Sequence, residues 1–257
     1  YGSCDNITIN SGSVNAESWH SAGIGGGNYG SCNNITIKGG SVTASSTWGA
    51  GIGGGFNDSC SNITINGGSV KASSVPSSPT NAQGKKVYCC TIENSNSEAV
   101  IIDGNPTSWE PKNHQAVDPL YAWLTGETHT ISVGNTTQTY YFDKNNNNKE
   151  FKPITNRDFK FTKPSDLTYN GTAQKAPLEC NIEDIKDEIK LSYYNKDDGQ
   201  KSNEAINAGT YTVTANIAGN SFADESWTFT IKPRNLNISI NDIERKYGEN
   251  NPELTYL

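Results

Sequence analysis

Six cysteines, three histidines and a scatter of carboxylates carry what reactive chemistry the 257-residue chain offers, and three of the cysteines stand at equal intervals. Cys4, Cys32 and Cys60 are 28 residues apart, Cys89 and Cys90 are adjacent, and Cys180 stands alone. No CxxC pair or Cys/His cluster has the spacing that tetrahedral zinc requires, so no metal or cofactor is expected. His20, His114 and His129 lie in unlike contexts, and each reads as a surface or packing residue more readily than as a base. Glycoside hydrolysis needs two carboxylates a few ångströms apart. On a 28-residue grid Asp5 falls with Asn33 and Ser61, and Asp58 with Gly2 and Gly30, so no acidic column forms. A lyase would set Arg or Lys beside bound acids, and residues 1–84 contain no Arg. No catalytic residues are assigned, and the chain reads as a non-enzyme; a polysaccharide-active β-helix lyase or hydrolase is the alternative.

Two further patterns invite a binding reading. The phrases "SAGIGGG" and "GAGIGGG" suggest a phosphate loop, but such a loop needs a preceding strand, a following helix and a Lys or acidic partner at fixed distance, and none is present. Trp19 and Trp48 precede these phrases, one position out of step, so that Trp19 aligns with Thr47 and His20 with Trp48. Aromatic rings at a polar surface can stack on sugar faces, which makes Trp19, Trp48 and His20 candidate glycan contacts. The competing expectation is that both rings fold over a coil edge to cover core.

The elements that must position these residues repeat without insertion or deletion. Ile7, Ile35 and Ile63, then Ile9, Ile37 and Ile65, then Val14, Val42 and Val70 all recur at 28 residues. A fixed period in this range marks a repeat architecture, because one unit cannot bury its apolar face until a neighbour stacks on it. In "NITIN" and "NITIK" the isoleucines alternate with Asn and Thr, which is strand periodicity. Residues 1–84 are therefore read as about three coils of a parallel β-solenoid, Ile and Val inside, Asn, Thr and Ser outside, with the glycines shaping corners. Stacked coils bring Cys4, Cys32 and Cys60 to about 4.8 Å spacing, which a disulfide tolerates. Three in one column cannot all pair, and the favoured reading is a ladder of small buried thiols. Flat Asn and Thr columns also raise an ice- or mineral-binding reading, on a small array.

After Lys85 the repeat stops. "KKVYCCTIEN", "EAVIIDG", "LYAWLTGETHTISVG" and "TQTYYFD" read as strands of a small β-domain over 85–155, with Trp123 expected in its core. "DKNNNNKE" offers Asp143, Asn145 and Asn147 at calcium-loop spacing but lacks the turn glycine and distal glutamate, and reads as a polar hairpin. In 156–233 the alternations Tyr211, Val213, Ala215, Ile217 and Trp227, Phe229, Ile231 indicate a sandwich of Ig-like type. The fold class is thus all-β throughout. A net charge of −7 without basic clusters argues against nucleic acid, and no apolar run approaches the ~20 residues of a membrane span.

"LTYNGTAQKAP", "AGTYTVTANIAGNSF" and "TFTIKP" resemble MBG-type bacterial Ig-like modules, which occur in tandem in large surface proteins and adhesins. "RKYGENNPELTY" resembles the opening of a second module over 234–257, and the glycine-rich repeats are similar to those of bacterial cell-surface proteins. The resemblance implies an extracellular or cell-wall location and a modular stalk, with no catalytic residues to carry over; the expected partner is a glycan or host-surface ligand. On that view the chain is a monomeric piece of a longer protein.

Overall fold

The computed structural model describes residues 2–96, 98–107, 119–145, 149–237 and 246–250. It is all-β, with parallel stacked strands followed by antiparallel, sandwich-like sheets. Residues 2–72 wind as the repeat requires. β1 (Cys4–Ile9), β4 (Cys32–Ile37) and β7 (Cys60–Ile65) form one parallel sheet. β2 (Ser13–Ser18), β5 (Ser41–Ser46) and β8 (Ser69–Ala72) form a second, and β3 (Ile24–Gly25) pairs with β6 (Ile52–Gly53) in a third. Register follows the 28-residue interval at every pair, including Ile7↔Ile35, Ile35↔Ile63 and Val42↔Val70. Ile35, Ile37, Val42, Ile52, Ile63, Ile65 and Val70 form the interior column with Cys32 and Cys60.

Cys32 and Ile35 both point inward although they stand three positions apart, an odd spacing that strict alternation forbids. Asn34 resolves the conflict: at φ 58° it absorbs one residue in a left-handed bend, as Asn6 and Asn62 do at 61° and 58°. The exposed amides then chain together, Asn34 Nδ2 donating to Asn6 Oδ1 at 3.0 Å and Asn62 Nδ2 to Asn34 Oδ1 at 3.1 Å.

The cysteine column departs from the expected thiol ladder. Cys32 and Cys60 are joined by a disulfide with Cα atoms 4.4 Å apart, and Cys4 is left as a partly exposed thiol. Stacking at strand separation already holds neighbouring cysteines within bonding range, so oxidation requires no rearrangement of the coils.

The third coil ends differently. Ser73 and Ser74 hydroxyls accept from the amides of Ser46 and Gly51, and Thr80 bridges Thr64 in parallel where a fourth coil would begin. The chain then enters β9 (Val87–Ile92), which pairs antiparallel with β12 (Leu120–Thr125). A five-stranded sheet packs beside them, built from β10 (Val100–Ile102), β11 (Asn105–Pro106), β13 (His129–Val133), β14 (Thr136–Phe142) and β15 (Phe151–Pro153).

Trp123 is not in the core of this domain. Leu120 and Ala122 fill that core with Cys90, Ile92, Val100 and Ile131, whereas Trp123 packs on the solenoid interior and its Nε1 donates to the Val70 carbonyl at 2.9 Å. The Tyr121 amide donates to Ser69 Oγ, and Lys71 Nζ lies 5.3 Å from the Tyr121 ring centroid. β12 thus has one face in its own core and the other covering the end of the solenoid.

The last domain pairs β16 (Phe159–Phe161) with β18 (Leu178–Cys180). Opposite lies a sheet in the order β17 (Leu167–Thr168), β22 (Asn220–Lys232), β21 (Gly209–Ile217), β19 (Lys190–Asn195), β20 (Lys201–Ser202). Tyr211, Val213, Ala215, Ile217, Trp227, Phe229 and Ile231 are all buried there, as the alternation predicts. The β21–β22 turn reaches the preceding domain, where the Ala218 carbonyl accepts from Thr130 Oγ1 at 2.7 Å. The segment expected to open a second module, 234–257, falls largely outside the described residues, as do His114 and Asn147.

Candidate ligand-binding surface

The glycine phrases are filled by protein. A Cβ on Gly25 would strike the Gly53 carbonyl, and one on Gly55 the Gly27 carbonyl, each the backbone of a neighbouring coil. Carbonyl oxygens lie where a phosphate would have to approach, so the phrases are close-packing devices between coils.

Beside them the structure gathers the predicted aromatics and adds two. After β2 the chain passes through Trp19 and His20, and after β5 through Trp48, whose amide donates to the Trp19 carbonyl at 2.8 Å. The Phe56 amide donates to the His20 carbonyl at 2.8 Å, which brings the far end of the second glycine phrase back to the same surface. Phe56 is the hub: its ring meets His20, Tyr29 and Trp48 edge to face with centroids 6.4, 5.4 and 6.2 Å apart. Around it Trp19 is 71% exposed, Trp48 59% and Tyr29 46%. The expectation that the tryptophans fold over a coil edge is therefore not met; they stand in solvent, held by their backbones and, for Trp48, by Phe56. Edge-to-face packing fixes ring orientation while leaving π-faces open. Tyr29 and Phe56 are not among the residues singled out from the sequence, because they lie just after the glycine phrases and only the structure brings them together with Trp48; like the tryptophans they break the repeat, Tyr29 aligning with Asn57 and Phe56 with Asn28. That irregularity is itself the signal that could have found them.

His129 is the other chemically suggestive side chain. Its Nδ1 lies 2.7 Å from Asp103 Oδ2, and its Nε2 lies 3.2 Å from Thr125 Oγ1 and 3.0 Å from the Thr125 carbonyl. The sequence of groups imitates a nucleophile, base and orienting acid. Yet the ring is buried, 7% exposed, and packs against Phe151, and Nε2 shares its side of the ring between the Thr125 hydroxyl and the Thr125 carbonyl. Asp103 Oδ1 also accepts from the Thr130 amide, so the group braces β13 against the β10–β11 turn. Lys152 answers the calcium-spaced Asp143 at 2.7 Å and Glu150 at 3.3 Å. Among the described residues no group of three or more His, Cys, Asp or Glu side chains is placed to hold a metal ion, and no helix is long and apolar enough to cross a membrane.

A sequence-family model described as a beta helix repeat matches residues 7–28, 35–56 and 63–78. These are the three coils seen in the structure, and the repeats define this part of the chain as a β-solenoid. No curated protein and no solved structure matches the chain.

Proposed function

We propose that the chain is a non-catalytic part of a modular bacterial cell-surface protein, extracellular or wall-associated, whose solenoid presents an aromatic surface to a glycan. The observation that carries the binding reading is the open cluster of Trp48 and Tyr29 around Phe56, with His20 at its edge and exposed Trp19 joined to Trp48 through the backbone. Sugar rings present flat C–H faces that pack on aromatic rings, and their hydroxyls suit the Asn, Ser and Thr around this patch. The surface location rests on the likeness of 158–233 to MBG-type modules. The Ig-like reading of that region draws support from Tyr211, which lies near the start of β21 and donates its hydroxyl to the Asn207 carbonyl at 2.9 Å, the arrangement of a tyrosine corner. In this reading the last two domains are spacers, linked through the β21–β22 turn.

A glycan array probed with the whole chain, followed by calorimetric titration of any hit, tests the proposal. Trp48→Ala removes an exposed ring and leaves the coil interior intact, and it should weaken binding roughly tenfold, equivalent to about 1.4 kcal/mol. An array without a ligand, or affinity indifferent to Trp48→Ala and Trp19→Ala, discards the glycan reading.

A further inference from the structure

The column of Cys4, Cys32 and Cys60 holds one more sulfur than a disulfide uses, and the backbone treats its two intervals alike. Cys4 is the parallel partner of Cys32, and Cys32 of Cys60. The Cys4 amide donates to the Ser31 carbonyl and the Cys32 amide to the Ser59 carbonyl, both at 3.1 Å. The three side chains therefore leave consecutive coils in one direction, and all pack on the same interior cluster. The Cys32–Cys60 bond, spanning Cα atoms 4.4 Å apart, runs along the stack with Cys4 next in line beyond Cys32. Displacement at sulfur proceeds when the attacking thiolate, the central sulfur and the leaving sulfur approach a line.

We propose that this column is a thiol–disulfide exchange site. Cys4, having lost its proton to solvent, attacks Sγ of Cys32; the Cys4–Cys32 bond forms, the Cys32–Cys60 bond breaks, and Cys60 leaves as thiolate and takes up a proton. One disulfide is lost and one is made, so no oxidant or reductant is consumed. The bond moves by one coil. Before the step the first coil is held by backbone hydrogen bonds and offers a partly exposed thiol at Cys4. Afterwards the first two coils are stapled and the remaining thiol is Cys60, which is 6% exposed. The step thus decides whether the solenoid presents or hides a reactive sulfur. Cys89 and Cys90 are no rivals for the column, since they lie on β9 in the next domain.

The chain carries its own readout, because cleavage after Lys38 and Lys71 separates Cys4 and Cys32 from Cys60. The oxidised protein is incubated in mildly alkaline, thiol-free buffer, quenched in acid, labelled with a maleimide in acidic denaturant and digested at lysine. Before exchange, peptides 1–38 and 39–71 are linked and Cys4 carries the label. After exchange, 1–38 holds an internal disulfide and Cys60 carries the label. With equivalent backbone geometry the two isomers should lie within about tenfold of each other, a difference of about 1.4 kcal/mol, so Cys60 should become labelled in at least about a tenth of chains. Cys60→Ser should yield the Cys4–Cys32 bond on oxidation. Label confined to Cys4 at every time, label on all three cysteines, a Cys4–Cys60 link, or a Cys60→Ser chain with both remaining thiols free would each overturn the proposal.

Discussion

Gly12, Gly40 and Gly68 occupy one position in three successive coils and share one backbone conformation, with φ of 92°, 90° and 82°. They differ in what lies above them. A Cβ on Gly12 would meet nothing within 4 Å, whereas one on Gly40 would strike the Gly12 carbonyl oxygen, with Ser11 C at 2.9 Å and Gly12 N at 3.0 Å. Alanine at either site incurs the left-handed penalty, about 1–2 kcal/mol. At Gly40 the coils must also separate by roughly 1 Å to reach ordinary contact, because the obstacle is backbone and has no rotamer to change. That displacement disrupts the hydrogen bonds from Ser41 N to the Gly12 carbonyl and from Lys38 N to the Ile9 carbonyl, each 2.8 Å long. At about 1 kcal/mol apiece, Gly40→Ala should cost about 2 kcal/mol more than Gly12→Ala. In urea unfolding with a slope of about 1–3 kcal/mol per molar, the midpoint for Gly40→Ala should sit about 1 M lower. Hydrogen exchange of peptides from β4 and β5 would confirm that the loss is in the solenoid. Equal costs at Gly12 and Gly40 would refute inter-coil contact as the reason for glycine here.

Trp123→Ala should uncover the end of the solenoid, costing about 2–4 kcal/mol for a large aromatic lost from a partly buried site. Its mark is faster amide exchange in β7 and β8 with β21 and β22 unchanged; equal protection throughout would remove Trp123 as a cap. Burial pushes the Cys89 thiol up to about 11, and burial followed by the neighbouring Cys89 charge pushes Cys90 up to about 12. Because the fold raises both above the ordinary thiol value of 9.0, their contribution is complete below pH 9 and is lost as pH climbs through 11 and 12. Urea midpoints taken upward from pH 8 should fall beyond pH 9 in the native chain and less in Cys89→Ala/Cys90→Ala, while identical profiles would contradict it.

The solenoid was legible because a fixed interval without gaps leaves one arrangement that buries Ile7, Ile35 and Ile63 together. What the interval could not supply was any choice between equivalent members. Cys4, Cys32 and Cys60 are alike in sequence, and the repeat does not say that the last two pair while Cys4 stays free. Alternation likewise names the faces of a strand without naming their neighbours: in β12 both faces are covered, and Trp123 was assigned to its own domain because the sequence does not reveal that Val70 lies on the other side. The left-handed asparagines had a signal in the odd separation of Cys32 from Ile35, which no straight strand can bury together. In the last domain each alternating run had a single core to face, and Tyr211 through Ile217 fell where expected.

The aromatic patch follows from the same logic turned around. Residues that repeat at 28 are fixed by stacking, since each must fit its copy above and below, and they build interior columns or corners. Trp19 faces Thr47 in the repeat, His20 faces Trp48, Asn28 faces Phe56 and Tyr29 faces Asn57. All five aromatic residues of the patch are departures from the repeat, on two coils, and three of them, His20, Tyr29 and Trp48, meet the ring of Phe56. Stacking does not require the Trp19, Tyr29 and Phe56 rings, because the aligned positions in the neighbouring coil are Thr47, Asn57 and Asn28 and the coil still forms. Large apolar side chains that the scaffold can do without, gathered at one exposed place, are what a binding surface needs. Restoring the repeat there, with Trp48→His and Phe56→Asn, should therefore leave the coils stable while removing the largest fixed ring of the surface and the Phe56 ring that His20, Tyr29 and Trp48 share, which separates what folds this chain from what it presents.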